Sequence, residues 1–204
     1  DSAVYSAKKA LSADAYLTDA QEVLVTLYAA TLMRDSLQAS WQWCLRGRSD
    51  YPLDPRFIEC QLTLMVADMS KSPRPDRAWA LVREGNRLDP PAEARKRGRS
   101  FLPFFRTMLA AEVLARAGAA DSARAITART RAAVMNDAEL TLDVMYEDAY
   151  VSLLLGDRRD AVRKLTTYTA ARPSLADLTL QHARWKPLLR DTVFTNMLRR
   201  ATKS

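Results

Sequence analysis

The sequence predicts an all-α protein built from helical hairpins, and three observations support this class. Of its 204 residues, 48% are hydrophobic and only five are Gly, and the many Ala, Leu and Arg residues favour helix. Alternating runs of Val, Ile and Thr bounded by Asn-Gly or Asp-Gly turns, which are typical of strands, are missing from the sequence. A spacing of Gly, Ala and Pro also recurs along the chain and predicts successive helix-turn-helix units.

The clearest hairpin pattern lies near the end of the chain. An apolar helix is predicted over about 138–155, where Gly156 suits a left-handed C-cap and Asp157 the N-cap of the next helix. One apolar face of this second helix has spacings of four and three residues, at Ala161, Leu165 and Tyr168. The helix is expected to stop before Pro173. A small residue is expected at Ala161 because a short turn brings the two helices close together.

The same design recurs in chain order. The start of the chain has the residues of a second helix, at Ala3, Ala10, Leu11 and Asp14. The next two hairpins are marked by Asp35, Ala39 and Pro52, and by Ala78, Asp89 and Pro90. A later hairpin has Gly118 followed by Ala123, with Ala111 in the preceding helix. Each unit is therefore expected to pack two helices through a small residue.

These residues resemble the tetratricopeptide repeat, whose units of about 34 residues fold as helix-turn-helix. The resemblance covers nearly the whole chain and implies a right-handed α-solenoid. It divides the chain into the second helix of a partial repeat at 1–18, about four irregular hairpins at 19–173, and C-terminal capping helices at 174–204. Because the chain begins within a repeat, we expect a further segment to precede Asp1.

The closing segment, residues 184–200, is similar to the end of tetratricopeptide modules attached to bacterial signalling kinases and transcriptional regulators. In those modules a Trp or Phe, a Pro-Leu pair and a later Phe form a cap. The apolar residues expected to cover the end of the solenoid here are Trp185, Leu188, Leu189, Phe194, Met197 and Leu198.

We assign no catalytic, cofactor-binding or metal-binding residue from the sequence. His182 is the only histidine, which excludes His-based triads and multi-His metal sites. The motifs of phosphate loops and dinucleotide-binding turns are missing. The carboxylates Glu147, Asp148 and Asp157 have no accompanying base or nucleophile in the pattern. The sequence therefore predicts a protein that is not an enzyme and needs no cofactor.

Cys44 and Cys60 lack the spacing of a zinc site. If helices span about 35–48 and 55–69, the two cysteines lie at a similar height of one hairpin. The sequence leaves two alternatives open for this pair. One is a disulfide, and the other is two buried thiols that pack as small apolar residues.

The resemblance implies that the first helix of each unit lines a concave groove. The positions expected to face it are Gln21, Leu24 and Tyr28, then Phe105, Met108 and Glu112, then Asp143, Tyr146 and Tyr150. This mixture of aromatic and acidic side chains suits a peptide with apolar anchors and a basic residue. The alternative is that several of these Tyr residues pack against adjacent helices.

Trp41 and Trp43 form a second candidate contact for a partner. They lie two residues apart and therefore about 200° apart around a helix. Because two such positions do not share one narrow core face, the pair favours exposure of one indole to a protein partner.

Charge and hydropathy limit the other partners. The formal net charge is +7, but acidic residues are interspersed nearly everywhere except at Arg95 to Arg99, which we interpret as a solvated loop. Nucleic-acid binding through this run is therefore disfavoured. No stretch reaches the roughly 18 to 20 apolar residues of a membrane span, although an upstream anchor stays open. The compartment also stays open, cytoplasmic or, with an upstream leader, periplasmic.

The favoured function is a non-catalytic protein-interaction scaffold, or an accessory subunit of a larger assembly, that binds a partner segment in the groove. The alternative is the sensory or regulatory C-terminal module of a longer bacterial signalling protein, either a kinase or a transcription regulator. The closing segment and the start within a repeat favour this alternative.

Overall fold

The computed structural model describes residues 5–9, 24, 34–69, 71–89, 101–175, 182–188, 192 and 194–196. Over these ranges the protein is all-α, as the sequence predicts, and contains no strand. The α-helices with described bounds are α1 (Arg34–Asp50), α2 (Arg56–Ala67), α3 (Pro75–Leu88), α4 (Leu102–Arg116), α5 (Ala120–Val134), α6 (Ala138–Leu154) and α7 (Arg158–Ala171). Short 3-10 helices follow at Pro173–Leu175 and Ala183–Leu188.

Each helix packs against the next one along the chain, from α1 on α2 to α6 on α7. Helix α4 also packs against α2 and α6, so it contacts four neighbours and lies at the centre of the described helices. This packing of adjacent helices is compatible with a helical repeat. None of the helices over the described ranges combines the length and apolarity that crossing a bilayer requires.

Two glycines close the short turns as the sequence predicts. Gly118 after α4 has a φ of 78° and Gly156 after α6 a φ of 83°, the left-handed conformation in which a side chain is strained. At the second turn the N–H of Asp157 donates to the carbonyl of Ser152 at 2.9 Å, the bond that marks a Schellman ending. The Asp157 carboxylate then caps α7 by accepting from the N–H of Asp160 at 3.0 Å. Both caps confirm the sequence prediction.

Small residues lie where the helices meet. Of the alanines that the repeated spacing marks, Ala78, Ala111, Ala123 and Ala161 are fully buried, whereas Ala39 on α1 is exposed and does not make the expected close contact. Helix α7 ends at Ala171, before Pro173. The predicted hairpin geometry is therefore present at α4–α5 and α6–α7.

A buried guanidinium joins three helices. Arg106 on α4 is fully buried and its Nε donates to Oε1 of Glu59 on α2 at 2.7 Å. Its Nη1 donates to Asn86 at 2.8 Å and to Asp89, just after α3, at 2.9 Å. Burial lowers the pKa of Arg106, but the hydrogen bonds to Asp89 and Glu59 outweigh this and leave it above its ordinary value. Arg106 therefore stays charged and fixes α2 and α3 on α4.

The C-terminal segment packs onto the same core. Trp185, Leu188 and Phe194 are fully buried and share one hydrophobic cluster with Leu165 of α7. The other residues expected in this cap lie outside the described residues, namely Leu189, Met197 and Leu198. Arg184 immediately precedes Trp185 in this segment, and its side chain lies against α4 and α6.

The α1–α2 hairpin contains a disulfide between Cys44 and Cys60, whose Cα atoms are 6.0 Å apart. Both residues are buried, in a cluster with Leu37 and Leu64. The helix bounds lie close to those expected, and the structure selects the disulfide from the two alternatives that the sequence left open.

We expect the disulfide to contribute about 3 kcal/mol to the free energy of unfolding, because the cross-link restricts the unfolded chain between two residues 16 apart in sequence. The double variant C44A/C60A should lose that amount in urea denaturation. Wild-type protein under reducing conditions should match the variant. Equal stability of the oxidised and reduced wild-type protein would contradict this prediction.

Substitution of Gly156 by Ala should lower the free energy of unfolding by about 1 to 2 kcal/mol, since a Cβ is strained at positive φ. Packing is not the reason, because no heavy atom lies within 4 Å of the added Cβ. Urea denaturation measures the loss, and Gly156→Asn should lose less because Asn tolerates the left-handed region. An unchanged stability of Gly156→Ala would refute the assignment.

Candidate functional site

The residues predicted to contact a partner, in the groove or at the two tryptophans, differ in exposure. Those outside the described residues are Gln21 and Tyr28. Those that are buried are Leu24, Met108, Glu112 and Tyr150. Those that are half-buried are Trp41, Trp43, Phe105, Asp143 and Tyr146. The buried side chains are covered by the protein itself in this structure, and partner binding by the predicted residues stays a prediction.

Glu112 and Tyr150 are covered by the C-terminal segment, which fills the space beside α4 and α6, whereas Met108 is buried among apolar residues of α4, α5 and α6. The Arg184 guanidinium donates to Oε2 of Glu147 at 2.9 Å and 2.7 Å. It also lies over the rings of Tyr146 and Tyr150, at 4.7 and 4.8 Å from the ring centroids. Trp185 Nε1 donates to the Tyr146 hydroxyl at 3.0 Å. We call Glu112, Tyr146, Glu147, Tyr150 and Arg184 the Arg184 site.

The Arg184 site holds the kind of ligand that its residues were predicted to attract. Acids and aromatics suit a basic residue beside an apolar anchor, and the chain itself supplies both, as Arg184 and Trp185. Buried carboxylates are costly without a cation, and Arg184 supplies one to Glu147 through two hydrogen bonds. Sequence reasoning had assigned this segment to capping and had not joined it to the groove residues.

Glu112 is the least satisfied member of the Arg184 site. It is fully buried, and its two oxygens have no hydrogen-bond partner over the described ranges. Arg184 Nη1 lies 3.7 Å from Oε1, which is beyond hydrogen-bond distance. Burial first, and then the charge of Glu147, raises the pKa of Glu112 well above its ordinary value. The carboxyl therefore holds a proton at a pH where an exposed Glu is ionised.

His182, next to this site, is held neutral. Burial and then the positive charge of Arg184 lower its pKa to about 3. Burial and then the charge of Glu112 also raise the pKa of Tyr150 to about 12. Neither side chain changes charge near neutral pH.

A second polar cluster joins α6 to α7 around Lys164. Its Nζ lies 2.7 Å from Asp148, 2.6 Å from Asp160 and 2.8 Å from the Ser152 hydroxyl. A Ser beside a Lys resembles a nucleophile beside its base. Here the Ser152 hydroxyl donates to Oδ2 of Asp160 at 2.8 Å and accepts from Lys164 Nζ, so its proton does not point toward the amine. The cluster forms an ion-pair network between α6 and α7; the i, i+4 spacing of Asp160 and Lys164 is a local signal for part of it, whereas the contact with Asp148 depends on helix packing.

An open groove lies where α1, α2 and the start of α3 meet, beside the hairpin that contains the disulfide. Its volume is about 260 Å³. Its apolar lining comes from α1 and α2, at Trp41, Leu45, Leu64 and Met65. Leu64 and Met65 are buried and form the floor, while Leu45 is 41% exposed. We call this surface the Trp41 groove.

Cations form the exposed edge of the Trp41 groove. Lys71, Arg74 and Arg77 all line it and are exposed. Lys71 lies 3.3 Å from Asp68, and its Nζ is 4.8 Å from the centroid of the Trp41 ring. The edge therefore carries more positive than negative charge beside an apolar floor.

Arg116 on α4 holds the backbone of this edge through hydrogen bonds. Its guanidinium donates to the carbonyls of Val66, Asp68 and Lys71 at 3.2, 3.2 and 3.0 Å, and also to that of Met65. Met65 and Val66 lie in the last turn of α2, where carbonyls lack helical partners, and Asp68 and Lys71 follow the helix. The segment that carries Lys71 is therefore held in place before any ligand arrives.

The two tryptophans predicted as a partner contact have different surroundings. Trp41 lines the groove, and its Nε1 is buried with no hydrogen-bond partner over the described ranges. Trp43 packs on Phe57, with ring centroids 4.9 Å apart. Only Trp41 of the two belongs to the groove.

Replacement of Glu112 by Gln should flatten the pH dependence of stability. The folded protein binds a proton at Glu112 more tightly than the unfolded chain does, so the wild-type free energy of unfolding falls as pH rises from about 4.3 through the raised pKa. E112Q lacks this proton equilibrium and should lose less stability between about pH 5 and about pH 8. Urea denaturation across this range measures the difference.

The matched control is Asp121→Asn, because the Asp121 side chain is fully exposed. The free energy of unfolding of this variant should change with pH as it does in the wild-type protein. Parallel profiles of E112Q and wild type would show that Glu112 has an ordinary pKa.

No group of three or more His, Cys, Asp or Glu side chains in the described part of the chain could hold a metal ion. In comparisons with known proteins, no family model, no curated protein and no solved structure matches this chain.

Proposed function

We propose that this protein is a non-catalytic interaction scaffold, or an accessory subunit of a larger assembly, built as a right-handed tetratricopeptide-like solenoid. Its support is the order of helix packing. Helices α2, α4 and α6 pack in series, and α3 and α5 each pack on the first helix of the next unit. Stacked repeats that contact only their neighbours have this order.

The Trp41 groove is the observation that carries the interaction function. It places an aromatic ring and buried aliphatic side chains next to exposed cations. Protein interfaces combine an apolar centre with a polar rim and are enriched in Trp and Arg. In this proposal a segment of a protein partner lies in the Trp41 groove, while the Arg184 site holds the chain's own C-terminal segment.

The regulatory alternative uses the same surface. A C-terminal module of a longer bacterial signalling protein would also receive its signal through a protein contact. Burial of Trp185, Leu188 and Phe194 against the core supports the closing-segment resemblance from which this alternative came.

Site-specific photo-crosslinking in the cells that make the protein tests the proposal. A photoreactive phenylalanine analogue at Leu45, in the wall of the groove, should yield one dominant protein adduct. Mass spectrometry of the digested adduct then identifies the partner segment, and the purified partner should bind the protein at a fixed stoichiometry.

Leu53 is the matched control position. It is also leucine, is 79% exposed, and does not line the groove. No adduct at Leu45, or the same adducts at both positions, would overturn the proposed function.

A further inference from the structure

We propose that the Trp41 groove binds an acidic segment of a protein partner, anchored by one aliphatic or aromatic side chain. This inference rests on the proposed function and names the chemistry of the partner. It departs from the sequence expectation of a basic ligand, because the acidic residues that suggested one already face cations of the chain: Asp143 pairs with Arg172, and Glu112 lies 3.7 Å from Arg184.

The charge of the groove edge selects acids. Asp68 is the only carboxylate among the lining residues that the structure describes, and Lys71 pairs with it. Arg74 and Arg77 are exposed, and no carboxylate in the described part of the chain lies within ion-pair distance of either. A partner's Asp or Glu therefore pairs with these guanidinium groups without first displacing an internal partner, and Arg suits a carboxylate because it donates two parallel hydrogen bonds.

The floor of the groove selects the anchor. Leu64 is fully buried, Met65 nearly so, and Leu45 is partly exposed at the wall. An apolar side chain that enters between them removes its own surface and that of Leu45 from water. Met65 adapts its shape to different anchors because its side chain is unbranched and flexible.

The edge is organised in advance. Arg116 holds the carbonyls of Asp68 and Lys71, and Asp68 in turn pairs with the Lys71 ammonium. Binding therefore orders little additional backbone, and less affinity is lost to conformational entropy.

A nucleic acid fits this surface less well, although it also carries negative charge. Base recognition on a single strand needs an open aromatic face, and Lys71 lies over the Trp41 ring. The deeper lining at Leu64 and Met65 is aliphatic, which suits a side chain better than a stacked base. The observations therefore favour an acidic protein segment.

Selection from a random peptide library displayed on phage tests the inference without assuming a sequence. Full-length wild-type protein should enrich peptides that combine Asp or Glu with one Leu, Ile or Phe. The groove variant R74E/R77E should lose this enrichment, and its affinity for the best selected peptide should fall at least about tenfold in fluorescence anisotropy.

The charge-matched control is R83E/R87E, which changes two exposed arginines on the same helix α3 outside the groove lining. It should keep the wild-type selection and an affinity within about twofold, a small change on the free-energy scale. Enrichment of neutral or basic peptides, no enrichment, equal loss in both variants, or displacement of the peptide by a single-stranded oligonucleotide would overturn the inference.

The two proposals fail in distinguishable ways. A partner that crosslinks at Leu45 through a neutral or basic segment removes this inference and leaves the scaffold function standing. Absence of any specific crosslinked partner removes the scaffold function itself.

Discussion

The buried Arg106 guanidinium is the interaction on which the rest of the described structure depends. It joins α4 to Glu59 of α2 and to Asp89 after α3, and a buried charge of this kind is destabilising unless its partners stay in place. Because Arg116 lies on the same helix, the position of α4 also determines where the edge of the Trp41 groove lies. Glu112, again on α4, faces Arg184 on the opposite side.

The Arg184 site and the Trp41 groove differ in how their charges are satisfied. In the Arg184 site Glu147 accepts hydrogen bonds from the cation of the C-terminal segment, whereas Glu112 lies beyond hydrogen-bond distance of Arg184 and has a raised pKa. In the Trp41 groove the cations at Arg74 and Arg77 remain exposed and unpaired with any described carboxylate. The Arg184 site is thus filled by the protein's own C-terminal segment. In the proposal, the Trp41 groove is left for a segment of a partner protein.

The candidate site was only partly predictable. Trp41 was assigned to a partner contact because of its angle to Trp43, and it does line the open groove. The cations at its edge were missed, because Lys71, Arg74 and Arg77 lie in a long turn and at a helix start, where charge is common and carries little information. Tyr150 and Glu112 were expected at a surface, but their burial depends on Trp185 and Arg184, which lie more than thirty residues later.

The sequence by itself determined the helices, their turns and their small contact residues. Gly118, Gly156 and Asp157 act through backbone groups a few residues away, so their roles are readable from local spacing. Only the tertiary structure decided that Cys44 bonds to Cys60, that Arg106 reaches Glu59, and that Arg184 enters the space beside α4 and α6. The local spacing of residues cannot specify such pairings, because each pairing depends on the distance and direction between helices. Packing of the whole core sets that distance and direction.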